Sequence, residues 1–264
     1  MNIKEKTCKT ALSVSKLPGL DYALNPYEGC KHQCAYCYVP SVCHIKKETW
    51  NNVVSVKRNI PLILSKELNH KKKGIVGIST VTDPYQPVEK KFSLTRYCLE
   101  QLLKIDFPIN IQTKSSLVIR DKDLIGKFSQ AEIMMSIATF NETHRKILEP
   151  YSSPIADRLQ VFNTFEDTHI TKSVFLGPLY PMENHTIKSM LDLFVDLKVT
   201  KIMIDRFRKK PYFDENIQMY AKNHPTFLSY FNEYMSDQKR KYELKRQYIK
   251  TYLQKTNITV VDAF

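Results

Sequence analysis

The chain has 264 residues, 42% of them hydrophobic and 25% charged, and carries a formal net charge of +13. That length is ample for a buried core in one large domain or two small ones. No apolar run is long enough to cross a bilayer, and the lysine- and threonine-bearing stretch Met1 to Val14 has no signal-peptide hydrophobic segment, so a cytoplasmic protein with no membrane partner is expected. The charge favours polyanionic partners such as nucleic acid; the competing account is that excess lysine serves solubility alone.

Short apolar stretches alternate with amphipathic ones, the pattern of β/α units. The first strand is expected over Tyr22 to Glu28, followed by a helix opening near Pro61, a residue suited to a first helical turn. A second strand, Gly74 to Thr80, leads to a helix over Leu94 to Leu103 with Ser93 as its N-cap. The third strand is Ile109 to Thr113, with a short helix over Asp121 to Phe128 behind it. The fourth is Ile133 to Ala138, after which Ser153-Pro154 caps and opens a helix through about Phe165. The fifth is Ile170 to Leu176, and the helix Thr186 to Leu197 that follows aligns Ile187, Met190, Leu191, Phe194 and Leu197 on one face. The sixth is Lys201 to Ile204.

Six units are too few for a closed eight-fold barrel, so the expected fold is α/β, a partial (β/α)6 TIM-like barrel with its site at the C-terminal strand ends. The stretch from Asp214 to Lys255 reads as basic helix, either a solvated face packed on the barrel or a phosphate-contacting surface, and Ile258 to Phe264 as a final strand or packing segment. The expected organisation is an N-terminal segment over 1–20, a core barrel over 21–210 and a basic, mainly helical extension over 211–264.

Three of the six cysteines fall within eight residues, Cys30-Lys-His-Gln-Cys34-Ala-Tyr-Cys37. Cytoplasmic thiols stay reduced, so a tight group reads as metal-binding or catalytic rather than as disulfides. Thiolates suit iron–sulfur clusters or zinc. Zinc needs a fourth ligand, for which His32, His44 and Cys43 are at hand. Three thiolates on a cubane leave one iron open for chemistry. Cys98, in an apolar helix, reads as core, and Cys8 has no visible partner.

The Cys-x3-Cys-x2-Cys spacing with aromatic Tyr36 before the last cysteine resembles the radical S-adenosylmethionine superfamily. The resemblance implies a [4Fe–4S] cluster on Cys30, Cys34 and Cys37 and S-adenosyl-L-methionine chelated at the open iron. It also implies reductive cleavage to a 5′-deoxyadenosyl radical that abstracts hydrogen from a substrate, with a reductant such as flavodoxin or ferredoxin. Asn25-Pro-Tyr-Glu-Gly-Cys30, Thr82-Asp83-Pro-Tyr-Gln-Pro-Val-Glu89, Leu94-Thr-Arg96, Thr113-Lys114-Ser115, Arg120-Asp121, Glu149-Pro-Tyr-Ser-Ser-Pro and Arg158-Leu159 narrow the resemblance to the spore photoproduct lyase-related, DNA repair photolyase-like group. These stretches cover about residues 10 to 180; the C-terminal third matches no pattern.

By that resemblance Tyr36, Thr82, Asp83, Lys114, Ser136 and Arg158 are cofactor-binding candidates, and Gln86, Glu89 and Arg96 weaker ones. Asp83 suits an ammonium and Lys114 a carboxylate. Asp83 could instead be a turn residue before Pro84, and Arg158 could instead pair with Glu149. Tyr38 matches the tyrosine implicated in hydrogen transfer in the lyase, or is a stacking aromatic. Thr80 stands where the lyase has its hydrogen-donating cysteine, which argues for a related but distinct activity. Three functions stand open: radical chemistry on nucleic acid or a nucleotide, the same chemistry on a peptide or small metabolite, and a non-catalytic iron–sulfur or zinc binding module.

Overall fold

The computed structural model describes residues 2–263, and the side chains of all of these except Lys47, Glu48 and Asn51. Phe264, the end of the expected last strand, lies outside the described residues. The strands in chain order are β1 (Asn2–Lys6), β2 (Leu12–Val14), β3 (Tyr22–Leu24), β4 (Tyr27–Glu28), β5 (Val53–Lys57), β6 (Val76–Ile78), β7 (Ile109–Thr113), β8 (Ala131–Ser136), β9 (Thr171–Leu176), β10 (Lys201–Ile204) and β11 (Thr259–Asp262).

Eight strands form one sheet in the order β11-β10-β9-β8-β7-β6-β3-β2. From β3 to β11 every pairing is parallel, and β2 is added antiparallel to β3. The sheet has two free edges, so the architecture is a partial, open barrel. A small second sheet, β1-β5-β4, carries the chain around the cysteine loop.

Strand periodicity divides the barrel wall into two faces. Ile111, Ile133, Met135, Ile202 and Ile204 are buried under the helices, while Asn110, Gln112, Glu132, Met134, Ser136, Lys201 and Met203 line the interior. The wall is thus apolar outside and largely polar within. The helices Ile60–Leu68 and Leu94–Ile105 cover it with Ile60, Leu64 and Leu68 on one and Leu94, Cys98, Leu99 and Leu102 on the other. Cys98 is therefore a core residue. Leu17 to Leu20 lie across the N-terminal strand ends, and Gly77 makes room there: a Cβ on it would stand 2.6 Å from Leu20 Cδ1.

Several local expectations shift. The strand expected over Tyr22 to Glu28 is broken into β3 and β4, which belong to different sheets. Ser93 adopts a left-handed conformation without capping by its side chain, joining the turn Glu89–Phe92 to the helix Leu94–Ile105. Ser153 Oγ receives the Ser116 N–H at 2.9 Å instead of capping the helix Ile155–Thr164. The C-terminal stretch forms three helices, Phe213–Ala221, Pro225–Ser236 and Gln238–Leu253, before β11 returns to pair with β10. Among the described residues no helix is long and apolar enough to cross a membrane.

Candidate active site

The cysteine loop leaves β4 through Gly29, whose φ of +83° favours glycine and whose Cβ would stand 2.3 Å from the Val53 carbonyl oxygen. Three long-range ties then hold the loop. Buried Gln86 donates to the Gly29 carbonyl at 3.1 Å and accepts from the Lys31 N–H at 2.9 Å, gripping both sides of Cys30. His32 donates from Nδ1 to the Tyr151 carbonyl at 2.9 Å, and its Nε2 lies 3.2 Å from Asp83 Oδ2. The Ala35 N–H donates to the Leu148 carbonyl at 2.8 Å.

So held, Cys30, Cys34 and Cys37 are free thiols lining a single cavity of about 550 Å3 that opens among the C-terminal strand ends. Burial pushes all three thiols up, Cys30 and Cys37 to about 12, so a thiolate here requires a cationic partner such as a metal centre. The three thiols are not drawn together around the position of one ion. Among the described residues no three His, Cys, Asp or Glu side chains are grouped for a single metal. Cys43 and His44 do not line the cavity, and His32 is turned toward Tyr151 and Asp83, so the ligands of a mononuclear zinc site are not assembled.

Tyr36, Tyr38, Thr82, Asp83, Lys114 and Ser136 line the same cavity. Thr82 and Asp83 follow β6, Lys114 follows β7 and Ser136 ends β8. The hydroxyl oxygens of Ser79 and Thr82 are buried without a hydrogen-bond partner. Such orphaned groups carry a desolvation cost that a bound polar ligand relieves.

The Asp83 carboxylate is already engaged. It accepts from the Thr113 hydroxyl and the Lys114 N–H at 2.7 Å each and from the Tyr85 N–H at 2.9 Å. Burial opposes its charge, but His32 and these donors outweigh burial and bring its pKa down to about 2. Asp83 thus clamps the end of β6 to the end of β7. Burial also works against the charge on Lys114, whose Nζ stands 5.9 Å over the Tyr36 ring, yet Cys34, Glu149 and Asp83 hold its pKa above the ordinary lysine range.

Behind this wall runs a buried polar chain. The Tyr36 hydroxyl donates to Glu149, and Glu149 pairs with Arg158 Nη2 at 2.6 Å. Arg158 also donates to the Ser136 carbonyl at 2.7 Å and the Ser153 carbonyl at 2.9 Å. Both members of the pair are 1% exposed, and Arg158 does not reach the cavity. The structure thus contains the ion pair given as the alternative role of Arg158. Of the weaker candidates, Gln86 grips the loop. Glu89 and Arg96 lie outside the cavity, in a network where Arg120 meets Glu89 at 2.6 Å and Arg96 meets Asp121 and Asp123 at 3.0 and 2.9 Å.

Tyr38, 37% exposed, stands at the cavity with no hydroxyl partner among the described residues, and Thr80 lines the same cavity. Sequence reasoning did not anticipate Asp205, Arg206, Phe207 and Arg208, which follow β10 and complete the rim. Phe207 meets Tyr36 edge-on at 5.9 Å.

A barrel with its polar face inward and a three-thiol loop at its C-terminal mouth defines a class of protein, and comparison with known proteins names it. The Radical SAM superfamily matches residues 24–194, and the chain belongs to that superfamily. An uncharacterized protein of Methanocaldococcus jannaschii is 37% identical over 175 residues, 66% of this chain and 66% of that protein. An uncharacterized protein of Mycobacterium tuberculosis is 29% identical over 191 residues, 67% of this chain and 56% of that protein. The Radical SAM Nalpha-GlyT isomerase of Pseudomonas phage M6 is 25% identical over 158 residues, 59% of this chain and 32% of that protein. In each case less than two thirds of the relative's own length is matched.

Among solved structures, spore photoproduct lyase complexed with dinucleoside spore photoproduct superposes with a TM-score of 0.71 at 12% identity, covering 99% of this chain and 82% of that one. SuiB of Streptococcus suis bound to S-adenosylmethionine superposes with a TM-score of 0.52 at 14% identity, covering 91% and 46%. These likenesses establish a shared fold.

Proposed function

We propose that this protein is a radical S-adenosylmethionine enzyme of the photolyase-like group, acting on nucleic acid in a reducing, cytoplasmic setting with flavodoxin or ferredoxin as electron donor. In this reading residues 21–210 are the catalytic core, residues 1–20 precede it and residues 211–264 extend it. The observation that carries the reading is the meeting of three free thiols and two orphaned hydroxyls, Ser79 and Thr82, in one cavity at the C-terminal strand ends. Cys30, Cys34 and Cys37 would hold a [4Fe–4S] cluster, and Thr82, Lys114 and Ser136 the polar groups of S-adenosylmethionine. Bound there, the two cofactors supply reductive carbon–sulfur cleavage and hydrogen-atom abstraction.

The chain's own residues have separable tasks. Lys114 supplies a fixed positive charge for a carboxylate. Asp83 keeps Lys114 and Thr82 in register. Tyr36 packs against the cofactors, and Glu149 and Arg158 hold Tyr36 and the Ser136 backbone from behind. Tyr38, its hydroxyl unengaged, faces the substrate side and takes part in hydrogen transfer. Thr80 is a poor hydrogen-atom donor beside a thiol, so the hydrogen returned to product comes from another group.

Electron paramagnetic resonance of the anaerobically reconstituted, reduced protein tests the assignment. A [4Fe–4S] signal that changes on addition of S-adenosylmethionine and is lost in Cys34→Ala supports it. A reducible cluster indifferent to S-adenosylmethionine supports the binding-module reading instead.

A further inference from the structure

Nine arginines occur in the chain, and eight of them lie within 4 Å of a carboxylate. Arg206 differs: it is exposed, it lines the rim of the cavity, and its side chain has no partner among the described residues. The backbone beneath it is fixed. Its N–H donates to Asp205 Oδ1 at 2.9 Å, the Asp205 N–H donates to the Leu176 carbonyl at 3.1 Å, and the Leu179 N–H donates to the Asp205 carbonyl at 2.7 Å. Phe207, buried against Tyr36, Phe213 and Phe231, pins the next position.

The carboxylate that Arg206 would otherwise find is already taken. Arg208 binds Asp205 through Nε at 3.0 Å and Nη2 at 2.8 Å. The run Arg206-Phe-Arg-Lys-Lys210 therefore keeps an excess of positive charge on a rigid support at the mouth of the cavity. Lys209 reaches Asp214 at 4.0 Å, while Lys210 is exposed and its side chain has no partner among the described residues.

A guanidinium presents a planar fork of donors that matches a phosphate. We propose that Arg206 is the phosphate clamp of the substrate, gripping one backbone phosphodiester of a nucleic-acid strand at the cavity rim while Lys210 extends the track outward. The inference rests on the reading that substrate enters this cavity, and it assigns the strand's register to a residue outside the three-thiol motif. A phosphodiester fits better than a free anion because exposed Lys209 and Lys210 follow Arg206 closely in sequence, in a chain of net charge +13.

The test is fluorescence anisotropy of a fluorescein-labelled oligothymidylate of about twelve nucleotides, within the span such sites engage. It is measured on reconstituted holoprotein with S-adenosylmethionine over a salt series, for wild type, Arg206→Ala, Arg206→Lys and Lys66→Ala, the last removing one exposed charge from the helix Ile60–Leu68 on the outer face of the barrel. The proposal expects Arg206→Ala to bind about tenfold more weakly and to reduce the salt slope by about one. Lys66→Ala should bind as wild type does, and Arg206→Lys should recover part of the loss. Equal weakening by Arg206→Ala and Lys66→Ala, or none by either, overturns the clamp. Displacement of the strand by thymidine monophosphate at equal phosphate concentration assigns the site to a phosphomonoester and overturns the strand. Deoxyadenosine formation by the wild type, followed separately without oligonucleotide, reports on the enzyme reading, so failure of one is distinct from failure of the other.

Discussion

Gln86 holds Cys30 by the backbone on both of its sides, accepting from the Lys31 N–H at 2.9 Å and donating to the Gly29 carbonyl at 3.1 Å. The cysteine proposed as a cluster ligand is thereby positioned by a side chain from the loop after β6, 56 places along the chain. Gln86→Leu should leave both backbone groups unsatisfied while sparing every thiol. Its iron should be lost to a chelator about tenfold faster or more, the usual effect of removing a group that orients a ligand. Iron retention equal to wild type would show that the loop needs no such grip.

The Glu149–Arg158 pair is 1% exposed at both ends, so neither charge has water to fall back on. Removing one partner from such a pair typically costs about 3–5 kcal/mol. Urea unfolding of Arg158→Met should show a loss of that order. The double variant Glu149→Gln/Arg158→Met should lose less than the sum of the two single changes, because the second removes the charge that the first left stranded.

Asp83 links folding to pH. Its folded pKa of about 2 lies below the ordinary aspartate value of 3.8, so its contribution is fully present above that ordinary value and is lost as pH falls from about 4 toward 2. The carboxylate is buried, and the effect is on the order of 2 kcal/mol. In acid titrations of the metal-free protein, Asp83→Asn should be less stable at neutral pH, and the difference should shrink through this window. A difference that stays constant down to pH 2 would contradict the assignment.

Tyr38 is the opposite case, a tyrosine whose hydroxyl supports nothing among the described residues. Tyr38→Phe should leave unfolding free energy within about 0.5 kcal/mol of wild type while product formation on a substrate falls. A large loss of stability would make Tyr38 a structural residue.

The sequence was informative where chemistry is local. Three cysteines in eight residues, apolar runs at strand length and the Glu149 to Arg158 motif all announce themselves, and the cavity contains the first group and rests on the last. What escaped depends on contacts across the chain. β1, Asn-Ile-Lys-Glu-Lys, is exposed throughout and becomes a strand only by pairing with β5, so no apolar alternation marks it. Gln86 and His32 look like ordinary polar residues until the fold brings Cys30 and Asp83 to them. Arg206 stands out only once the partners of the other eight arginines are known.

The most direct test is 5′-deoxyadenosine formation by the anaerobically reconstituted, dithionite-reduced protein with S-adenosylmethionine, compared with Cys34→Ala. Deoxyadenosine that appears with wild type and is absent with the variant is the predicted result. No deoxyadenosine from a protein fully loaded with a reducible [4Fe–4S] cluster would contradict the account.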